Sequence, residues 1–179
     1  MERGLVERAR SGDADAFDAL IEPRVEAMLR TATAIIGDSD EAREATQEAL
    51  LTIWRELPNL RLDDRFDAWA GRILVNRCRL ALKRRARRSS REVQLDGSRQ
   101  ADSRSVIGSS GGFDHRQELD EAFEQLEPDD RALLVLHHLE GLQLAEIAAR
   151  LEIPVGTVKS RLFTARRALE RAWRLSHDV

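Results

Sequence analysis

Tyrosine is absent from this chain of 179 residues, cysteine occurs once, and proline and glycine are sparse. Each shortage narrows the reading. A lone cysteine, Cys78, cannot close an internal disulfide, so a reducing cytoplasm is the simplest setting. No apolar run approaches the length that spans a bilayer, and the start Met1-Glu2-Arg3-Gly4 carries no apolar signal core, so no membrane insertion is expected. Runs of β-branched residues are almost missing, while Ala, Leu, Arg and Glu dominate; that balance favours helix nearly everywhere. There is no Gly-rich phosphate loop and no plausible nucleophile-base pair, which argues against an enzyme. The histidines are His115, His137, His138 and His177, and the adjacent pair points to different sides of a helix, a poor arrangement for a metal. No cofactor is expected. Lysine is confined to Lys83 and Lys159, so the positive charge is almost entirely arginine.

What is present is charge, and it is segregated. The net charge of −3 looks wrong for a nucleic-acid binder, but its distribution matters more than its sum. Between Arg61 and Arg91 stand Arg61, Arg65, Arg72, Arg77, Arg79, Lys83, Arg84, Arg85, Arg87, Arg88 and Arg91, opposed only by Asp63, Asp64 and Asp67. A second basic block holds Lys159, Arg161, Arg166, Arg167, Arg171 and Arg174 against Glu170. Acid concentrates in 38–48 and 114–130. Solvated helix faces would explain any one of these runs. Two basic blocks, each on a helix, point to nucleic acid.

The expected fold is all-α: two small helical domains joined by a flexible linker, the second containing a helix-turn-helix. Leu5–Ala9 is short and amphipathic, and Asp13 is a plausible N-cap. From Ala16 to Ile36, Phe17, Leu20, Ile21, Val25, Met28 and Leu29 share one side of a long helix that Gly37 stops. Pro23 inside it predicts a kink or an interruption. Asp38-Ser39-Asp40 caps the next helix, which runs to about Leu57 before Pro58. Phe66 to about Arg85 forms a third. Residues 87–113 then alternate Ser, Gly, Asp and Arg without periodicity and read as the linker between a first domain (1–86) and a second (114–179). Helices are expected over Arg116–Leu126, Asp129–Leu139, Leu144–Leu151 and Val155 to about Leu175.

The segment LQLAEIAARLEIPVGTVKSRLFTARR (Leu142–Arg167) is the strongest motif. Its first helix turns Ile147, Ala148 and Leu151 inward, and the small Ala148 permits a close crossing. Pro154 and Gly156 mark the turn and the second helix's start. That second helix buries Val158, Leu162, Ala165 and Leu169. Its opposite side carries Ser160, Phe163, Thr164, Arg167 and Arg171. An aromatic set among hydroxyls and arginines is odd for a solvated surface. It suits a major groove, where a ring packs on a thymine methyl, hydroxyls reach base edges and arginines hold phosphates. The arrangement expected is a DNA-reading helix-turn-helix; the plainer alternative is a helical hairpin with an incidental Phe.

EGLQLAEIAARLEIPVGTVKSRLFTARRAL resembles region four of the sigma factors, the part that reads the promoter's minus-thirty-five element, and LEPDDRALLVLHHLEG resembles the helices that precede it. The resemblance assigns the minus-thirty-five contacts to Thr157, Lys159, Ser160, Arg161, Phe163, Thr164, Arg167 and Arg171. GDSDEAREATQEALLTIWREL resembles the region-two helix that docks on the β′ clamp helices of RNA polymerase. It implies docking through Glu44, Gln47 and Glu48; Ala45 stands where the family pattern has Leu, which removes apolar contact area. An acidic, amide-bearing stripe also suits a protein partner better than phosphates. FDAWAGRILVNRCRLALKRRARR resembles the helix that carries the minus-ten reader. Its implied contacts are Arg61, Arg65, Phe66, Trp69, Asn76, Arg77, Arg79 and Lys83. Arg61 and Arg65 with Phe66 and Trp69 suit a pocket for an unstacked base, although Trp69 suits a core position equally. Asn76 can pair with adenine, and Arg77, Arg79 and Lys83 can hold phosphates.

No third region separates the halves and nothing long precedes the first; that brevity points to the extracytoplasmic-function (ECF) group. The resemblance implies core RNA polymerase (the β′ clamp helices and the β flap), promoter DNA and an anti-sigma factor as partners. The competing reading is a stand-alone helix-turn-helix regulator that binds duplex operators by itself. The two readers of a promoter lie about two duplex turns apart, roughly 70 Å, whereas a flexible linker of about 27 residues typically spans near 30 Å. Free protein should therefore hold promoters weakly, and tightly only when polymerase sets the separation.

Overall fold

The computed structural model describes residues 2–60, 66–95 and 113–177, and every element among them is helical. In chain order they are α1 (Glu2–Arg10), α2 (Ala14–Ile36), α3 (Ser39–Glu56), a short 3₁₀ turn (Leu57–Asn59), α4 (Phe66–Leu95), α5 (Phe113–Glu124), α6 (Pro128–Leu134), α7 (Leu144–Leu151) and α8 (Val155–His177). A widened π turn over Val135–Leu139 continues α6. The expected linker residues 96–112, and Arg61 and Arg65, lie outside the described residues.

The helix ends follow from local chemistry. Asp13 caps α2 by accepting the Ala16 N–H at 3.0 Å, and Gly37 ends it in the left-handed region (φ 80°) while donating its N–H to the Thr33 carbonyl. Asp38 caps α3 by accepting the N–H groups of Asp40 and Glu41 at 3.0 and 2.8 Å. Two helices run on past points where the sequence suggested a break. Helix α2 runs through Pro23 unbroken. The proline removes one hydrogen bond, but buried Ala16, Leu20, Ile21 and Met28 flank it and anchor both halves of the helix. Helix α4 continues to Leu95, so residues 87–95 of the expected linker are helical. No glycine or proline follows Gly71 until Gly97, and arginine and alanine favour helix, so nothing local stops it earlier.

In the first half, α2, α3 and α4 pack around Leu20, Ile35, Ile36, Ile53, Leu57, Val75 and Cys78. Burial pushes the Cys78 thiol up to about 12, so it is an inert core group at neutral pH. In the second half, Leu133, Leu136, Ile147 and Val158 are fully buried among α6, α7 and α8. These two sets belong to one continuous cluster. Helix α4 packs on α6 and α7, and α2 packs on α6 and its π turn. Each fully buried Leu or Ile contributes about 1.5–3 kcal/mol.

Candidate nucleic-acid interface

The second half presents α8 in the orientation that the sequence pattern requires. Glu146 accepts the Gln143 N–H at 2.9 Å and fixes the start of α7. The turn's left-handed residue is Glu152 (φ 55°, ψ 42°), not a glycine. Pro154 follows, and its carbonyl accepts the Thr157 and Val158 N–H groups as α8 begins. Val158, Leu162, Ala165 and Ala172 are buried, with Leu169 partly so, and this stripe fixes the rotation of α8. Ser160, Phe163, Thr164, Arg167 and Arg171 are all exposed on the other side. The Phe163 ring is 61% exposed, with the Arg167 guanidinium 5.8 Å from its centroid. The hydroxyls of Ser160 and Thr164 donate back to the Thr157 and Ser160 carbonyls, which orients their lone pairs outward. Lys159 is exposed beside this face and Thr157 is half-buried at its edge. Arg161 departs from expectation: its Nη2 donates to Asp129 Oδ2 at 3.1 Å.

On α4 the predicted minus-ten residues separate into three sets. Phe66 is buried among the described residues. It is 6% exposed, its ring 5.9 Å from that of the half-buried Trp69, with the Arg24 guanidinium 5.4 Å away. Arg77 and Arg79 are already engaged by protein. Arg77 donates to Thr52 Oγ1 at 2.8 Å and lies 3.9 Å from Glu48; Arg79 Nε donates to Asp129 Oδ1 at 2.5 Å. Asn76 and Lys83 remain exposed, with Arg79 Nη1 donating weakly to Asn76 Oδ1 at 3.4 Å.

On α3, Glu44 and Gln47 are exposed, and Glu48 is half-buried with Arg84 donating to it at 3.1 Å. Ala45 is fully inside the core, so its small size tightens α3 against its neighbours and takes nothing from an outer face. Two residues that sequence reasoning missed complete that surface. Leu51, one turn beyond Gln47, is 50% exposed, and Leu80, flanked along α4 by Arg77 and Arg84, is 43% exposed. The signal for Leu51 was an apolar residue on the same side of α3 as the acidic-amide stripe; Leu80, on α4, had none.

Asp129 was also missed. Each of its carboxylate oxygens takes one arginine, Arg79 from the first half and Arg161 from the second. Burial raises its pKa, but the hydrogen bonds and charges of Arg79 and Arg161 prevail and hold it below the ordinary carboxylate value. Among the described residues no His, Cys, Asp and Glu group could hold a metal ion, and no helix is long and apolar enough to cross a membrane.

Comparison with known proteins fits this geometry. A model for sigma-70 region 2 matches residues 20–88, and one for sigma-70 region 4 matches residues 116–169. An RNA polymerase sigma-H factor of Pseudomonas aeruginosa is 32% identical, over 96% of this chain and 93% of its own. An ECF RNA polymerase sigma-E factor of Escherichia coli is 32% identical over 93% and 91%. The sigma factor RpoE, solved with the anti-sigma factor NepR from Bartonella quintana, shares the fold at a TM-score of 0.66 and 24% identity, covering 88% of this chain and 96% of that one.

Proposed function

This chain belongs to the extracytoplasmic-function sigma factors, and from that premise we propose how its surfaces divide the work of promoter recognition. As a member it is a non-enzymatic initiation factor that binds core RNA polymerase and directs it to promoter DNA. The part up to about residue 95 serves as region two and the part from 113 as region four. Glu44, Gln47 and Glu48, joined by Leu51, form the docking face for the β′ clamp helices. Asn76, Lys83 and, once released from Asp129, Arg79 meet the minus-ten segment, with Arg61, Arg65 and Trp69 at its edge. Phe66 supports that site from the core. Thr157, Lys159, Ser160, Phe163, Thr164, Arg167 and Arg171 meet the minus-thirty-five element, with Arg161 joining them when its ion pair opens. The β flap is the second polymerase contact, through region four. An anti-sigma factor is the expected regulator, a partner of the kind present in the Bartonella complex, and the protein works in the cytoplasm.

The observation that carries the reading is the outer face of α8: an exposed Phe163 among hydroxyls and arginines on a helix whose opposite stripe is buried. Run-off transcription with purified core polymerase on genomic promoter fragments tests it. Discrete transcripts that appear only when the chain is added are the expected result. No transcripts, together with nanomolar promoter-specific binding by the free monomer, would instead make it a stand-alone regulator.

A further inference from the structure

The two halves are docked on each other, and the contact uses residues that DNA needs. Asp129, at the start of α6, accepts Arg79 from the minus-ten helix and Arg161 from the flank of the reading helix. The three side chains border a cleft completed by Ala132, Leu151 and Ile153. Arg72 on α4 pairs with Glu152, the left-handed residue of the helix-turn-helix turn. Arg150 of α7 lies against Gly71, where a Cβ would sit 2.5 Å from its guanidinium carbon, and donates to the Asp67 carbonyl at 3.4 Å. Thr31 of α2 donates to Glu140 at 2.7 Å. Gly71, Val75 and Arg79 recur every four residues on one side of α4, and Val75 between the other two is fully buried.

Two consequences follow. Promoter elements about two duplex turns apart, roughly 70 Å, cannot both be read while α4 touches α6 and α7. Arg79 and Arg161 cannot hold phosphates while one carboxylate holds them both. We propose that Asp129 is a latch: its double ion pair, backed by Arg72–Glu152, keeps the free protein closed, and polyanionic DNA opens it by replacing the carboxylate with phosphates. The inference rests on the sigma-factor reading for the roles of Arg79 and Arg161, but the closure is a property of this chain alone.

The test is a distance measurement on the full chain, with spin labels at Glu26→Cys on α2 and Glu170→Cys on α8, both exposed. Buried Cys78 stays in place, since its raised thiol does not react under labelling conditions. Free wild-type protein should give one narrow, short distance. Asp129→Asn should broaden it and move it to longer values while helical content holds, and it should raise affinity for a long random-sequence duplex several-fold at low salt. Because Asp129 also sits in the first turn of α6, a second set of variants removes dependence on that residue. Arg72→Glu and Glu152→Arg should each loosen the closed state, and Arg72→Glu combined with Glu152→Arg should restore the narrow distance, which a merely destabilised helix would not do. A broad distance in the wild type, no change in Asp129→Asn, or failure of the double reversal to restore closure would overturn the latch. So would an opened Asp129→Asn protein with unchanged duplex affinity. Failure of the sigma-factor reading is registered separately, as absent run-off transcripts with wild-type protein, and leaves the distances untouched.

Discussion

At the scale of single residues, exposure separates reading from support. Phe163 is solvated and Phe66 is buried, although both are aromatic residues beside arginine. Phe163→Ala should leave stability nearly unchanged and cost about 1–3 kcal/mol of discrimination at one or two base pairs of the upstream element, measured by titration against matched and scrambled duplexes. Arg171→Ala should weaken all sequences alike and lower the salt slope by about one. Phe66→Ala should instead lower unfolding stability by about 3–5 kcal/mol in denaturant titrations, the loss typical of a large side chain removed from a core. His138 carries a pH dependence. Burial lowers its pKa first, and neighbouring Arg166 and His137 lower it further. Its Nε2 accepts a hydrogen bond from Arg166 Nε at 3.2 Å, which needs the neutral ring. Since its folded-state pKa lies below the unfolded value of 6.5, the contribution is complete above that value and is lost as pH falls through the folded one. The melting temperature should drop as pH falls from about 7 to about 5.5, and His138→Gln should reduce that slope.

At the scale of elements, α3 and α8 each have a buried inner stripe that fixes the helix rotation and an exposed outer one. On α3 the inner stripe is Ala42, Ala45, Ala49 and Ile53, all nearly solvent-free. That leaves Glu44, Gln47 and Leu51 outside. Glu48 is split between roles, because it also holds Arg84 and lies near Arg77. Gln47→Ala with Leu51→Ser is therefore the cleaner probe of polymerase docking than any change at Glu48. The pair should reduce core-polymerase affinity at least tenfold, a loss of about 1.4 kcal/mol, while duplex binding by α8 stays unchanged; equal core affinity would remove α3 from the docking face. Between α5 and α6, buried Arg131 donates to the carbonyls of Leu126 and Glu124, placing a cation where α5 ends. Arg131→Leu should cost about 1–3 kcal/mol through those unpaired carbonyls, read as a shift of the denaturation midpoint.

At the scale of the whole molecule, one hydrophobic cluster spans both halves, so heat or denaturant should unfold the full chain in a single transition with coincident probes. Two separated transitions would mean that the halves are thermodynamically independent. The closed form should answer to salt and not to neutral pH. Asp129 stays ionised because Arg79 and Arg161, against the effect of burial, hold its pKa below the ordinary carboxylate value. Its contribution is complete above that value and is lost only as pH falls into the acid range.

The helices themselves were legible in the sequence, because their signals are local. Asp13 and Asp38 name two starts, Gly37 names an end, and the spacing of Val158, Leu162 and Ala165 sets which side of α8 faces out. The exposed face of Ser160, Phe163, Thr164, Arg167 and Arg171 followed from that rotation alone. What a side chain touches across a chain separation of fifty or more residues carries no local signal. Nothing near Arg79 announces Asp129, nothing near Arg72 announces Glu152, and the polar Thr31 gives no hint of Glu140. Helical periodicity assigns a residue to a side, but many partners can occupy that side. Only packing α4 and α2 against α6 and α7 decided that some of the arginines expected to hold phosphates are held, in the free chain, by the protein's own carboxylates.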